Sequence, residues 1–167
     1  MKKFLVLLLP VLVFVVPARA DSITEKFRII NHVTRFETMN PEDEKGHVIG
    51  ILTRSGLALF EDGQIGNQSA MIVFDMVSGK SGSFETYTTI TLEDGSGWIA
   101  KTNGKMSRTP DGKRLLTKQA GEIVRGTGKY EGIKGTIAFE GVGYGPTEVG
   151  KGDWVGDCTI TYTISGN

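Results

Sequence analysis

The chain has 167 residues, with 19 basic and 19 acidic side chains, 23 glycines and a single cysteine. Its length suits one domain, its balanced charge offers no basic surface for nucleic acid, and one thiol rules out an intrachain disulfide. Stability has to come from a packed core and from association.

The first twenty residues, MKKFLVLLLPVLVFVVPARA, combine a basic start at Lys2 and Lys3, an apolar run from Phe4 to Val16 and small residues at Ala18 and Ala20. This pattern predicts a cleavable secretory signal over 1–20. The run is shorter than the ~18–20 residues that cross a bilayer, and no later segment resembles a span, so no membrane span is expected after cleavage. The lysine-led start is bacterial in pattern, and no cysteine follows the cleavage point to carry a lipid. The expected destination is the periplasm or the medium. Loss of Lys2, Lys3 and Arg19 leaves 16 basic against 19 acidic residues, a net charge of −3.

From residue 21 onward the apolar residues recur with period two. Strand-length runs cover Phe27 to Phe36, Val48 to Phe60, Ala70 to Val77, Phe84 to Leu92, Gly97 to Lys101, Ile123 and Val124, Gly135 to Phe139, and Thr159 to Ile164. Turn chemistry separates them at Glu61 to Gly63, Glu93 to Gly97 and Thr109 to Lys113. Outside the signal no window keeps a helical period. The expectation is an all-β fold of eight strands in a single domain, residues 21–167, with the glycines as punctuation between runs.

Two runs differ in their faces. Ala70 to Val77, AMIVFDMV, is apolar on both, which fits a closed barrel covered outside by a neighbouring subunit or another element. Phe84 to Leu92 is apolar on one face and carries Glu85 and Tyr87 on the other.

Most catalytic signatures fail on spacing. In GTGKYEGIKGTIAFEG, Gly126 to Gly141, the third glycine of a dinucleotide fingerprint is replaced by Glu131, and no helix follows. GlyLysSer at Gly79 to Ser81 lacks the upstream glycine of a phosphate loop, and no GxSxG elbow exists. His32 and His47 have no metal-ligand spacing, so no metal site is expected. Cys158, ahead of the last strand, suits a buried, inert thiol.

What remains is a set of ionisable groups on largely apolar faces. Asp75 lies with Met71, Val73 and Val77, and Arg54 with Val48, Leu52, Ala58 and Phe60. If both point into a barrel, an Asp75–Arg54 pair satisfies both charges and sets a polar handle in an apolar cavity; the alternative is a salt bridge at the surface or a subunit interface. Glu85 and Tyr87 form a second candidate pair, with plain solvent exposure as its alternative.

The stretch Gly126 to Thr136, with the order of the strands around Tyr87 to Ser96, resembles the allene oxide cyclase and dirigent barrel superfamily. The resemblance implies an eight-stranded antiparallel barrel of calycin-like type, often a homotrimer, with a mainly apolar cavity and no cofactor. It also implies that Gly126, Thr127, Gly128, Tyr130, Gly132 and Gly135 shape a crossing between strands and plug one barrel end. Members cyclise an oxidised fatty acid or steer phenoxy-radical coupling, so the implied partner is a hydrophobic or aromatic small molecule. Cyclase, isomerase or dirigent-like steering, a non-catalytic carrier, and a structural barrel with a filled core all stay open.

Overall fold

In the computed structural model, which describes residues 21–78, 80–144 and 152–165, each alternating run lies within one strand. The expected signal and Gly79 of GlyLysSer lie outside the described residues. The strands are β1 (Ile23–Met39), β2 (His47–Phe60), β3 (Ile65–Val77), β4 (Gly82–Leu92), β5 (Gly97–Arg108), β6 (Leu115–Thr127), β7 (Ile133–Tyr144) and β8 (Asp153–Ile164). Each pairs antiparallel with its sequence neighbours, and β1 pairs with β8, closing an eight-stranded barrel. Closure leaves no unpaired sheet edge.

The expected turns fall on hairpins. Asp62, Asp94 and Asp111 each accept a backbone N–H two residues on, at 3.0, 2.9 and 3.1 Å. Gly63, Gly95 and Gly112 supply the positive φ that these turns need. Most strands outrun their apolar cores, and β6 does so most. It extends back to Leu115 because Thr117 and Gln119 occupy inward positions where an apolar residue would have announced a strand.

Inward residues form two apolar clusters. The lower one, at the end where the chain enters β1, gathers Phe27, Phe60, Ile90, Trp98, Tyr130, Ile160 and Tyr162 among others, nearly all sealed. Phe27 stacks on Phe60 at 4.7 Å between centroids and meets Trp98 edge-on at 5.8 Å. Each such side chain contributes about 1.5–3 kcal/mol by burial. The upper cluster is smaller: Leu52, Ala70, Ile72, Phe74 and Phe84, with half-buried Val33, Phe36, Val48, Met76 and Met106 against it. A bulge in β1 between Val33 and Arg35 resets the alternation so that Phe36, rather than Arg35, packs there.

Many glycines sit inside strands rather than between them. A Cβ on Gly50 would collide with the Phe74 ring, on Gly104 with Phe84, and on Gly141 or Gly156 with Phe139; on Gly143 it would lie 2.8 Å from Trp154. These positions make room for the large rings of a narrow barrel.

Between β6 and β7 the glycine-rich stretch forms a short 3-10 helix, Gly128–Tyr130. Gly128 opens it at φ +59° and Gly132 follows it at +76°, where side chains are strained. Tyr130 is thereby driven into the lower cluster, edge-on to Tyr162 at 5.9 Å. A Cβ on Gly126 would strike the Tyr130 carbonyl, and one on Gly135 the Thr161 carbonyl.

Candidate functional site

Strand parity decides what faces inward. On β2 the even positions Leu52, Ala58 and Phe60 are buried, so Arg54 is carried to the same face, opposite Val33 on β1 and Ala70 on β3. Its side chain passes β1 and lays the guanidinium 4.0 Å from the centroid of the Trp154 ring on β8. The indole covers one face of the cation.

Between the two apolar clusters lies a polar layer. Arg54, Gln68, Thr86, Thr88, Thr117 and Gln119 line an internal chamber of about 40 Å³, whose apolar wall includes Leu52, Ile72, Phe84, Met106 and Phe139. Among the described residues Arg54 is the one charged side chain on that lining. Among the described residues its Nε is sealed from solvent with no hydrogen-bond partner, and burial draws the guanidinium down from 12.5 to about 9. Gln68 Oε1 and Thr86 Oγ1 on the same wall, and Asn31 Oδ1 opposite Trp154 in the β1–β8 register, are likewise buried and unpartnered. Thr102 donates to Gln119 at 2.9 Å and Thr117 to the Gly141 carbonyl at 3.4 Å. Buried polar atoms are ordinarily paired; four of the six unpartnered ones among the described residues gather in this layer, the other two, Glu25 Oε2 and Trp98 Nε1, lying at the lower end.

The expected Asp75–Arg54 pair is not formed. Asp75 is an odd position on β3, where even residues 66 to 74 are buried, so it points outward and is exposed. It accepts from His47 Nε2 at 2.9 Å, while Asp43 takes His47 Nδ1 at 2.6 Å. The two carboxylates hold this imidazole above its ordinary pKa, the Asp43 bond foremost. The same parity puts Glu85 and Tyr87 on the outer wall. Glu85 bridges to Lys101 at 2.8 Å, and the Lys101 ammonium sits 5.5 Å from the centre of the Tyr87 ring. Of the four candidate residues, only Arg54 faces the interior.

Cys158 packs in the lower cluster, and burial pushes its thiol well above the ordinary range. At the lower end the Tyr162 hydroxyl donates to Glu25 at 2.6 Å, and burial holds Tyr130 up at about 12.

Thr86 and Thr88 carried a legible signal, as polar residues on the apolar side of Phe84 to Leu92; Gln68, two residues ahead of the run Ala70 to Val77, carried none. Trp154 carried none, because the glycine at 156 breaks the run that would have joined it to β8.

No family model and no curated protein matches the chain. Among solved structures, two pterocarpan synthase dirigent proteins have a similar outline. One is 14% identical, covering 87% of this chain and 92% of that one at a TM-score of 0.46. The other is 13% identical, covering 88% and 97% at a TM-score of 0.47. At such identity neither assigns an activity to this chain.

Proposed function

We propose that this is an exported barrel that binds a small molecule with a hydrophobic or aromatic body in its interior, and that it works as a homotrimer. The observation that carries the reading is the polar layer enclosed between two apolar clusters, with a cation and three acceptors left unpartnered. A small-molecule site has this form: an apolar wall with a few convergent polar groups. Access runs through the upper cluster, where unbranched Met76 and Met106 can rotate aside at little cost. The leader pattern of residues 1–20 supports export. Association is supported by a patch on the outer wall where Ile51 pairs with Val73 and Met71 with Tyr87, each more than a third exposed.

A second reading, a structural barrel with a filled interior, is favoured by the chamber's size. Its 40 Å³ is far below the ~300–1,000 Å³ of ligand pockets, so a ligand must open the upper cluster. Native mass spectrometry of the protein from its own host separates the readings. The binding reading expects a trimer carrying a small apolar or aromatic mass, reduced to monomer by Val73→Asp. An empty species that also ignores a hydrophobic fluorescent dye overturns it in favour of the filled barrel.

A further inference from the structure

Resting on that reading, we infer that the ligand is a monocarboxylate, with its carboxylate seated on the Arg54 guanidinium and its apolar body toward Leu52, Phe84 and Met106. A lone cation inside a barrel is costly to desolvate unless it is paired, and no described carboxylate approaches Arg54. Trp154 satisfies one face of the guanidinium but none of its N–H donors, which a ring face leaves pointing out at the edge. Nε is the donor left sealed and unpartnered.

The chemistry of the wall narrows the anion. A planar fork of N–H groups matches a carboxylate with two parallel hydrogen bonds. The remaining polar groups on the lining are neutral, so a single negative charge is balanced while a phosphate dianion would keep an uncompensated buried charge. Thr86 supplies a rotatable hydroxyl, and the Gln68 amide can present its NH₂ by a half-turn, giving two further donors from groups that now lack partners. The chamber's 40 Å³ holds a group of about carboxylate size without rearrangement. The body attached to it meets Leu52, Phe84 and Met106, which is why the ligand needs an apolar substituent as well as a charge. Burial has already drawn the guanidinium pKa downward, and a bound anion reverses that shift.

The test uses the purified protein with benzoate, benzamide and inorganic phosphate as probes. Trp154 fluorescence is the readout, its share isolated by comparison with Trp154→Phe. Benzoate is expected to give a saturable change at least tenfold tighter than benzamide, with no response to phosphate. Arg54→Met is expected to erase the preference, leaving benzoate no tighter than benzamide, while its circular dichroism matches that of the parent. Arg54→Lys keeps the charge without the fork and is expected to retain only part of the preference. Equal binding of benzoate and benzamide, or an unchanged preference in Arg54→Met, overturns the carboxylate assignment and leaves the cavity reading standing. If benzoate, benzamide and a hydrophobic dye all fail to bind, both fall. Should Arg54→Met not fold, the Arg54 Nε–H resonance of the parent decides: a benzoate-dependent shift that benzamide does not cause supports the seat, and its absence removes it.

Discussion

The lower and upper halves of the barrel are made from the same alternating strands but filled on different terms. Below, aromatic rings and isoleucines interlock, Trp98, Ile90 and Ile160 lose essentially all exposure, and the 3-10 helix drives Tyr130 in as a plug. Above, the inward positions pass to threonine, glutamine and one arginine before a smaller cluster with two half-buried methionines closes the end. The strands run through both, and apart from the β1 bulge that brings Phe36 inward the choice of inward side chain sets the difference. The upper half holds four buried polar atoms without partners against two in the lower, Glu25 Oε2 and Trp98 Nε1, and gives up apolar packing around them, an arrangement less stable than it could be.

The comparison breaks most visibly by truncating one large side chain in each half. Trp98→Ala is expected to cost about 3–5 kcal/mol, because its neighbours are locked by one another and the void persists. Phe84→Ala is expected to cost less, since Met106 on the same chamber can follow the receding ring. Urea unfolding with matched slopes measures both; equal losses would mean that the two halves are packed alike.

Substituting Arg54 sharpens the contrast from the other side. Its folded pKa, about 9, lies below the ordinary 12.5, so the unfolded chain binds this proton more tightly. Stability from this group therefore rises with pH between those values and is at its lowest near neutrality. Arg54→Met at pH 7 removes the desolvated charge and is expected to raise stability by about 1–3 kcal/mol, an effect opposite in sign to every truncation in the lower half. A lower melting temperature in Arg54→Met would show that the stack on Trp154 outweighs the desolvation, and that the arginine is a packing element.

Strand number and the apolar rows of Phe84 to Leu92 and Leu52 to Phe60 were legible from alternation, and three hairpin turns from their turn residues; which row faces inward was not. The same alternation could not separate Asp75 from Arg54. Asp75 stands among Met71, Val73 and Val77, an apolar row that faces out, while Phe74 and Ile72 beside it face in. With both faces apolar, hydrophobicity alone cannot say which is inside, and a one-residue error in parity moves a whole row across the wall. Only Ile123 and Val124 announced β6; its first half was hidden by Thr117 and Gln119, inward residues that belong to the polar layer. The glycines misled in another way, since Gly50, Gly104 and Gly156 look like punctuation in sequence but are the spaces into which Phe74, Phe84 and Phe139 fit.

The smallest effect lies at the upper rim, where the connection from β1 to β2 is tied down through His47. Its ring links Asp43 in that connection to Asp75 on β3, and Lys80 bridges to Glu44 beside them. The imidazole is held above its ordinary 6.5 and the Asp43 carboxyl below its ordinary 3.8, each chiefly by the hydrogen bond between them. The His47 contribution is full below the unfolded pKa of 6.5 and is lost as pH rises through the raised folded value; the Asp43 contribution is full above the ordinary carboxyl range and is lost as pH falls through its lowered one. The tie is therefore tightest between the two ordinary values, 3.8 and 6.5, and loosens over the interval above 6.5 as the raised imidazole value is passed. Amide hydrogen exchange over residues 40–46, corrected for the intrinsic effect of pH, is expected to show a modest loss of protection across that interval, while Trp98 and Ile160 in the lower half keep theirs. His47→Gln can still donate to one carboxylate but cannot gain a proton, so it should flatten the profile. A profile of unchanged steepness in that variant would remove His47 as the titrating group at this rim.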